Sequence, residues 1–468
     1  MPLFHRQSFF LALTSLGPKL LMSICSLYYI KIFFGEYHIT KNDLISIQTI
    51  YLIWNALNDP LIGYIQDFGF CGMTWMMDRR KVVKYMGPLF VLSFIAFWVP
   101  WSTSNSTITF FHLLTASFIF DTFLTLICSA QSGLFIESSP SPSDRLRVVV
   151  YSEIGTILAG STVYFFEMFP HSGENFGTFQ IMAFVLSVLA ALLMLVGTAN
   201  LEKKPSRPAT PTEKNIWKVI KNFFMISIKI MIQPRFIFLV ASFFFRFLRF
   251  MANENFLIVF TENLLVNFGF FEKNSSTLGL FYILARSLGN ILFLLLWQPT
   301  NRFGGQVIIQ FLNFLSLINI GVVYYFGMSN QLAVALFILF ENTFVRCGFQ
   351  GFYFVFTGEV IDTDMRNNKR SHPLSTMIFT LKAVFCKPAE QLASILIIQL
   401  FLQRGGYPEK VSDTDNYNQW MFNGMIFFPA ICLLCESLFV AFDQIYQSCY
   451  SKKRKEGNVV SEENNELL

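Results

Sequence analysis

Charge is scarce in this chain. Only 14% of its 468 residues are Asp, Glu, Lys or Arg while 53% are hydrophobic, and with a mean hydropathy of +0.49 that excludes a soluble globular domain. The apolar runs lack period-2 alternation, which excludes a transmembrane barrel. Cysteine is missing from every loop expected on the outer side of the membrane: Cys25, Cys128, Cys347, Cys386, Cys432 and Cys435 lie in apolar runs, and Cys71 and Cys449 lie on the cytoplasmic side. An external disulfide framework is therefore excluded. Cys432 and Cys435 have metal-like spacing, but no Cys or His lies near them, so no metal is expected. No nucleophile triad, metal set or phosphate loop is present, so neither an enzyme nor a nucleic-acid partner is expected. No cleavable signal is evident, and the first span is expected to act as the insertion signal.

What the chain does have is apolar runs of about 20 residues, the length that crosses a bilayer as a helix. They cover Ser8 to Phe34, Leu44 to Gln66, Tyr85 to Trp101, Ile108 to Phe135, Val148 to Phe166 and Gly177 to Gly197. After a polar gap they resume at Phe236 to Phe260, Thr277 to Trp297, Gln306 to Met328, Gln331 to Phe356, Leu374 to Phe401 and Asn418 to Phe442. The pattern predicts an all-α membrane protein of about twelve transmembrane helices, in two six-helix bundles at 1–197 and 234–446. Between them, 198–233 opens with E-K-K-P-S-R-P-A-T-P-T-E-K, a proline-rich cytoplasmic linker, and continues as an apolar run holding Lys218 and Lys221. That continuation fits an interfacial amphipathic helix and, equally, an early start of the seventh span. The cytoplasmic tail, 447–468, places Cys449 beside basic residues, which suits palmitoylation, and ends in E-N-N-E-L-L, which resembles an acidic dileucine sorting signal.

Lysine and arginine set the orientation. Arg6, the cluster from Arg79 to Lys84, Arg145, Arg147, the linker lysines, Arg302, Arg366 to Arg370 and Lys452 to Lys455 fall on one side. Lys31, Lys41, Lys273, Arg404 and Lys410 fall on the other. The positive-inside rule then puts both termini in the cytoplasm, and the sequons at Asn105 and Asn274 fall outside, in agreement. An integral, multi-pass plasma-membrane protein is expected, with endosome or lysosome as the alternative that the tail raises.

Ionisable groups inside a span cost about 2.5 to 3.5 kcal/mol each, so they face a protein interior or an aqueous cavity. Here they are Lys19, Asp59, Asp121, Glu153, Arg246, Arg249, Glu254, Arg286, Glu341, Arg346, Lys382, Lys387 and Glu390, and the third, sixth and ninth spans have none between their ends. This distribution resembles the major facilitator architecture, in which the third, sixth, ninth and twelfth helices are peripheral. Only Glu436, in the twelfth span, departs from it. The architecture implies a secondary transporter with its site near the bilayer midplane.

In W-N-A-L-N-D-P-L-I-G-Y-I-Q-D, Trp54 to Asp67, the residues Asn55, Asn58 and Asp59 are spaced so as to share one helix face, roughly 12 Å from the cytoplasmic end. A carboxylate with two amides suits a small cation or a proton, or pairing with Lys382 or Lys387. The same residues suit a kink, because Asp59 before Pro60 is a good N-cap and first position. Lys387 can neutralise Glu390 at i, i+3, and Arg249 with Asn253 can bridge a bend. The polar run A-N-E-N, Ala252 to Asn255, suits a broken seventh helix with Glu254 in an outer gate.

The stretch from Trp54 to Asp67 also resembles the N-D-P-x-x-G-x-x-x-D signature of the glycoside-pentoside-hexuronide cation symporters, a branch of the major facilitators. E-S-S-P-S-P-S-D-R-L-R, Glu137 to Arg147, and G-E-V-I-D-T-D-M-R-N-N-K-R, Gly358 to Arg370, resemble that branch's loop signatures after the fourth and tenth spans. Within the branch, N-D-P-L-I-G, the run from Gly87 to Trp101 and V-F-C-K-P at Val384 to Pro388 are most similar to the animal transmembrane protein 180 group. The resemblance covers nearly the whole chain. It implies alternating-access symport of a small polar, sugar-like solute, with Na+ or H+ as coupling ion and no other cofactor.

By position, Asp59 is retained. Asn55 stands where the symporters usually have an acid, Lys19 where they have the first-span acid, and Cys128 where they have a sugar-binding aspartate, with Asp121 about two turns away. These departures weaken sodium coupling and sugar binding and leave proton coupling through Asp59, or uncoupled transport. They also motivate a second hypothesis, a transport-inactive receptor or scaffold derived from a major facilitator. The expected substrate- or cation-binding residues are therefore Lys19, Asn55, Asn58, Asp59, Asp121, Cys128, Arg346, Lys382 and Lys387. Gly63 and Asp67, with Arg79, Arg80 and Lys81 after an insertion containing C-G-M-T-W-M-M, resemble the cytoplasmic gating loop of major facilitators. Gly63 would allow close packing on the eleventh helix, and Asp67 would meet its positive N-terminal end near Leu374. An ordinary positive-inside loop fits the same arginines. Expected partners are a small-molecule substrate and membrane lipid; fold-level likeness does not name the substrate, nor an oligomeric state.

Overall fold

The computed structural model describes residues 5–69, 74–139, 141–168, 175–202, 216–272, 275–347, 349, 351–397, 399 and 414–466. In lipid no water satisfies backbone groups, so an apolar chain closes its hydrogen bonds within helices. The helices are α1 Arg6–Gly35, α2 Lys41–Phe68, α3 Arg79–Phe97 after a 3-10 turn at Thr74–Met77, α4 Ser106–Ser138, α5 Pro142–Met168, α6 Phe176–Ala199 and α7 Ile216–Met231. They continue as α8 Pro234–Thr261, which runs into a π turn at Glu262–Val266, then α9 Ser276–Leu295, α10 Trp297–Phe303, α11 Gly305–Phe326, α12 Gln331–Arg346, α13 Gly351–Asn367, α14 Ser375–Cys386, α15 Pro388–Ile397 and α16 Thr414–Glu466. Side-chain caps set many of the starts: Thr40 before α2, Asn105 before α4, Asn175 before α6, Ser275 before α9 and Asn330 before α12 each accept from a first-turn N–H.

The protein is an all-α, multi-spanning membrane protein. Among the described residues eight helical stretches are long and apolar enough to cross a bilayer, in α1, α4, α6, α8, α9, α11, Gln331–Asn367 and α16. α2 is less apolar because it carries Asn58, Asp59, Gln66 and Asp67, all buried. The chain forms two compact units, Met1–Ile228 with Ile361–Val384, and Lys229–Val360 with Phe385–Leu468. In the first, α1 packs on α5 and α6, and α3 on α4 and α6, around Ile24, Phe90, Phe94, Ile127 and Phe179. α1 and α6 approach so closely that a Cβ on Gly17 would lie 2.7 Å from the Ala190 carbonyl, so only glycine fits. In the second unit, α8 packs on α15 and α16, and α12 on α9 and α11, around Phe256, Leu264, Phe337 and Met425.

Three expectations about helix continuity change. The break expected at Ala252 to Asn255 is not there: α8 is continuous to Thr261, because Glu254 finds cationic partners inside the unit. Interruptions fall elsewhere, between α12 and α13, and at Lys387 between α14 and α15, where Pro388 lacks the N–H a continuing helix would use. The apolar run after the linker is a separate helix, α7, rather than an early start of α8. Cys71 and the first residues of the insertion, Asn274, residues 203–215, Arg404 and Lys410 lie outside the described residues, as do the side chains of Glu390 and of the tail from 450.

At the start of α2, Asp43 Oδ2 accepts from Ser106 Oγ at 2.7 Å and from Thr40 Oγ1 at 2.8 Å. The Ser106 bond, then the Thr40 bond, hold its carboxyl below the usual carboxylate range. A depressed folded-state value means a stabilising contribution that is present above the unfolded pKa and lost as pH falls through the folded one. Asp43→Asn should therefore lower stability at neutral pH, leave it nearly unchanged at low pH, and so flatten the acid limb of the stability curve, as read by thermal melts across pH.

Candidate functional site

The α2 trio sits in a polar seam with α4. Asn58 Nδ2 donates to Asp121 Oδ2 at 3.0 Å, Tyr51 Oη donates to Asp121 Oδ1 at 3.0 Å, and Thr125 Oγ1 donates to Asp59 Oδ1 at 2.9 Å. Two turns on, Gln66 Nε2 donates to the Leu126 carbonyl at 2.7 Å. Asp59 and Asp121 are each 2% exposed, so in this conformation both carboxylates are covered and held by neutral donors. Pro60 lies inside a continuous α2, and the Asp59 side chain crosses to α4 instead of capping a new helix. Asn55 is half-buried on the same face.

Lys19 turns to α5, where its ammonium donates at 2.7 Å to the Ser152 carbonyl, Ser152 Oγ and Thr156 Oγ1, filling all three of its donors. Cys128 is exposed on α4. Lys382 is buried with its ammonium 5.3 Å from the centre of the Phe379 ring, and Lys387 is half-buried at the break between α14 and α15.

The structure brings Gly63, Asp67 and Arg79 together with the start of α14. Asp67, fully buried, accepts from the Met377 N–H at 2.8 Å and from Arg79 Nη2, while Arg79 Nη1 donates to the Gln66 carbonyl. A carboxylate on the first-turn N–H of α14 also meets the positive end of that helix. Arg79 Nε reaches Glu137 Oε1 at 3.4 Å, and Ser375 Oγ donates to the same oxygen at 2.7 Å. A Cβ on Gly63 would run into Thr380 Oγ1 and stand 3.1 Å from both Met377 Cα and the Thr376 carbonyl. Arg80 instead donates to the Thr198 and Ala199 carbonyls at the end of α6. Beside this cluster, Arg145 makes a bidentate pair with Asp362 at 2.8 and 3.0 Å.

Sequence reasoning missed Glu137, Ser375, Arg145 and Asp362. A signal was present for Glu137, Arg145 and Asp362, because Glu137 to Arg147 and Gly358 to Arg370 are the two loop signatures, and each supplies one partner of the Arg145–Asp362 pair; Ser375 lies in neither.

The second unit holds a buried charge cluster. Arg249 Nε donates to Glu341 Oε1 at 2.6 Å and its Nη2 to Ser316 Oγ at 2.6 Å, and Ser316 donates to the other Glu341 oxygen. Arg246 pairs with Glu436 at 3.1 Å and donates to the carbonyls of Phe344 and Cys347, while Tyr353 Oη donates to Glu436 at 2.8 Å. Arg249 Nη1 also lies 4.0 Å from Glu436. Arg249 thus reaches α12 and α11 and does not bridge a bend to Asn253. Glu436, the departure from the peripheral-helix pattern, is the counter-ion of this cluster. Glu254, by contrast, pairs with both Arg286 and Arg346, and the Arg346 guanidinium lies 5.0 Å from the Phe250 ring centre.

A family model described as MFS/sugar transport protein matches residues 10–446. The chain is 25% identical to Transmembrane protein 180 of Gallus gallus over 470 residues, 91% of this chain and 89% of the relative. It is 24% identical to Transmembrane protein 180 of Mus musculus over 414 residues, 82% of this chain and 77% of the relative. Its fold is similar to that of a bacterial homologue of the iron transporter ferroportin in the outward-facing state, with a TM-score of 0.61 at 12% identity, covering 94% of this chain and 100% of the other. It is also similar to the proton:xylose symporter XylE bound to 6-bromo-6-deoxy-D-glucose, with a TM-score of 0.59 at 14% identity over 94% and 96% of the two chains. Such identities carry the fold alone. The family match spans nearly the whole chain, and so the chain belongs to the MFS/sugar transport protein family, part of a superfamily of multi-pass membrane transporters rather than of enzymes.

Proposed function

We propose that this protein is a secondary-active transporter that moves a small polar, sugar-like solute across the plasma membrane by alternating access, and that it belongs to the glycoside-pentoside-hexuronide branch. Its apolar segments cross as about twelve helices in two six-helix bundles, joined by a cytoplasmic linker, with both termini in the cytoplasm. The observation that carries the reading is the closure at the start of α14. Asp67 and Arg79 hold the Met377 N–H and, through Glu137, the Ser375 hydroxyl. A few charge-assisted hydrogen bonds and one glycine contact make a closure that can form and release, unlike an apolar core interface. Gly63, Asp67 and Arg79 are its gating residues, and the pairing of Glu254 with Arg286 and Arg346 is the corresponding restraint in the second unit.

The α2–α4 seam is the coupling site. Asp59 and Asp121 lie about five and four turns from the outer ends of their helices, held by Thr125, Asn58 and Tyr51, and a proton is the ion these neutral partners serve best, since a carboxylate that takes it up stays hydrogen-bonded. A solute is found first, by a thermal-shift screen of metabolites with and without sodium and across pH. Asp59→Asn then abolishes uptake of that solute into vesicles while surface expression persists. Unchanged uptake would remove Asp59 from the mechanism.

A further inference from the structure

We propose that α7 is a binding surface for anionic phospholipid headgroups, with its lysines as the contact groups. The helix divides into three faces, not two. At 100° per residue, Trp217, Ile220, Phe224 and Ile228 form one stripe, and all are exposed, from 40% for Ile220 to 79% for Trp217. Lys218, Lys221 and Lys229 form a second exposed stripe directly beside it. The third face carries Ser227 and Ile230, both buried, and Phe223, whose ring meets Tyr64 of α2 at 5.6 Å.

Each face asks for a different neighbour. The third already has the protein. Four large apolar side chains in a row are not stable facing water and suit the acyl boundary of a bilayer. The lysine stripe, bordering the apolar one, then lies at headgroup level, where each lysine adds attraction to anionic lipid and long stems let the ammonium groups reach outward. An ordinary transmembrane start would put those lysines in hydrocarbon, but α7 ends at Met231 and α8 begins at Pro234, so the chain turns before it enters the membrane.

The test is hydrogen–deuterium exchange of the 216–231 segment in full-length protein reconstituted in nanodiscs of phosphatidylcholine, with or without phosphatidylserine. Exchange in the wild type should slow at least several-fold when phosphatidylserine is present, and the slowing should weaken as salt rises. In a Lys218→Gln/Lys221→Gln/Lys229→Gln variant the lipid dependence should vanish, while exchange elsewhere in the chain matches the wild type and shows that the variant is folded. Equal exchange in both lipids for the wild type would overturn the proposal, and so would slowing that survives the substitutions. Slowing by inorganic phosphate in pure phosphatidylcholine discs would make the ligand a soluble anion and overturn it as well. None of these readouts needs solute movement, so they stand apart from the transport reading.

Discussion

Arg249→Met should destabilise the second compact unit by about 3–5 kcal/mol, the range for removing one partner of a buried ion pair. Arg249 is fully buried and gives Nε to Glu341 at 2.6 Å and Nη2 to Ser316 at 2.6 Å. Without it, two buried carboxylates share one guanidinium, that of Arg246, which is already committed to Glu436 at 3.1 Å. Methionine roughly conserves the length of the side chain, so the loss reports charge more than a cavity. Adding Glu341→Leu should recover most of the loss, because an apolar pair can replace a buried ionic pair at little or no cost. Unfolding of detergent-solubilised protein measures both variants. Costs that simply add would mean that the two residues are not coupled.

Gly63→Leu should have the largest effect on the closure at α14. The new Cβ alone would stand 3.1 Å from Met377 Cα and 3.1 Å from the Thr376 carbonyl, and backbone cannot yield as a side-chain tip can. The hydrogen bond from Thr376 Oγ1 to the Gly63 carbonyl, 3.2 Å, would be lost with the approach. Overpacking costs about 1–3 kcal/mol. With about 1.4 kcal/mol per tenfold in an equilibrium, the closed form should lose roughly five- to hundredfold in population relative to the open one. Solute uptake should fall while the protein remains folded, since the clash disappears when α14 moves away. Melting of the whole protein with no change in the open–closed balance would argue that the Gly63 contact is only structural.

The local spacing of the chain made much of the helical layout readable, because apolar runs of membrane length and polar caps are local signals. Gly63 and Asp67, four residues apart on one face of α2, both lie against α14, and a near neighbour in sequence is enough to suggest that. The Arg145–Asp362 pair joins residues 217 positions apart, and no local pattern pairs one loop cation with one loop anion at that distance. Glu436 looked out of place on its own helix for the same reason, as its partners Arg246 and Tyr353 lie on other helices. The run A-N-E-N suggested a break because polarity within a span is costly unless answered. Here Arg286 and Arg346 answer Glu254 from α9 and α12, so α8 stays continuous. Lys19, expected among the binding residues, donates to three oxygens of α5.

Separation of α14 from the end of α2 is the movement on which alternating access depends, and it can be measured before any solute is known. Double electron–electron resonance between genetically encoded spin labels at positions 84, on α3, which Arg79 ties to the end of α2, and 371, four residues before α14, both exposed, follows that separation in reconstituted protein. Two distance populations are expected in the wild type, with Asp67→Asn and Gly63→Leu each raising the longer one. A single distance that neither substitution changes would contradict the account.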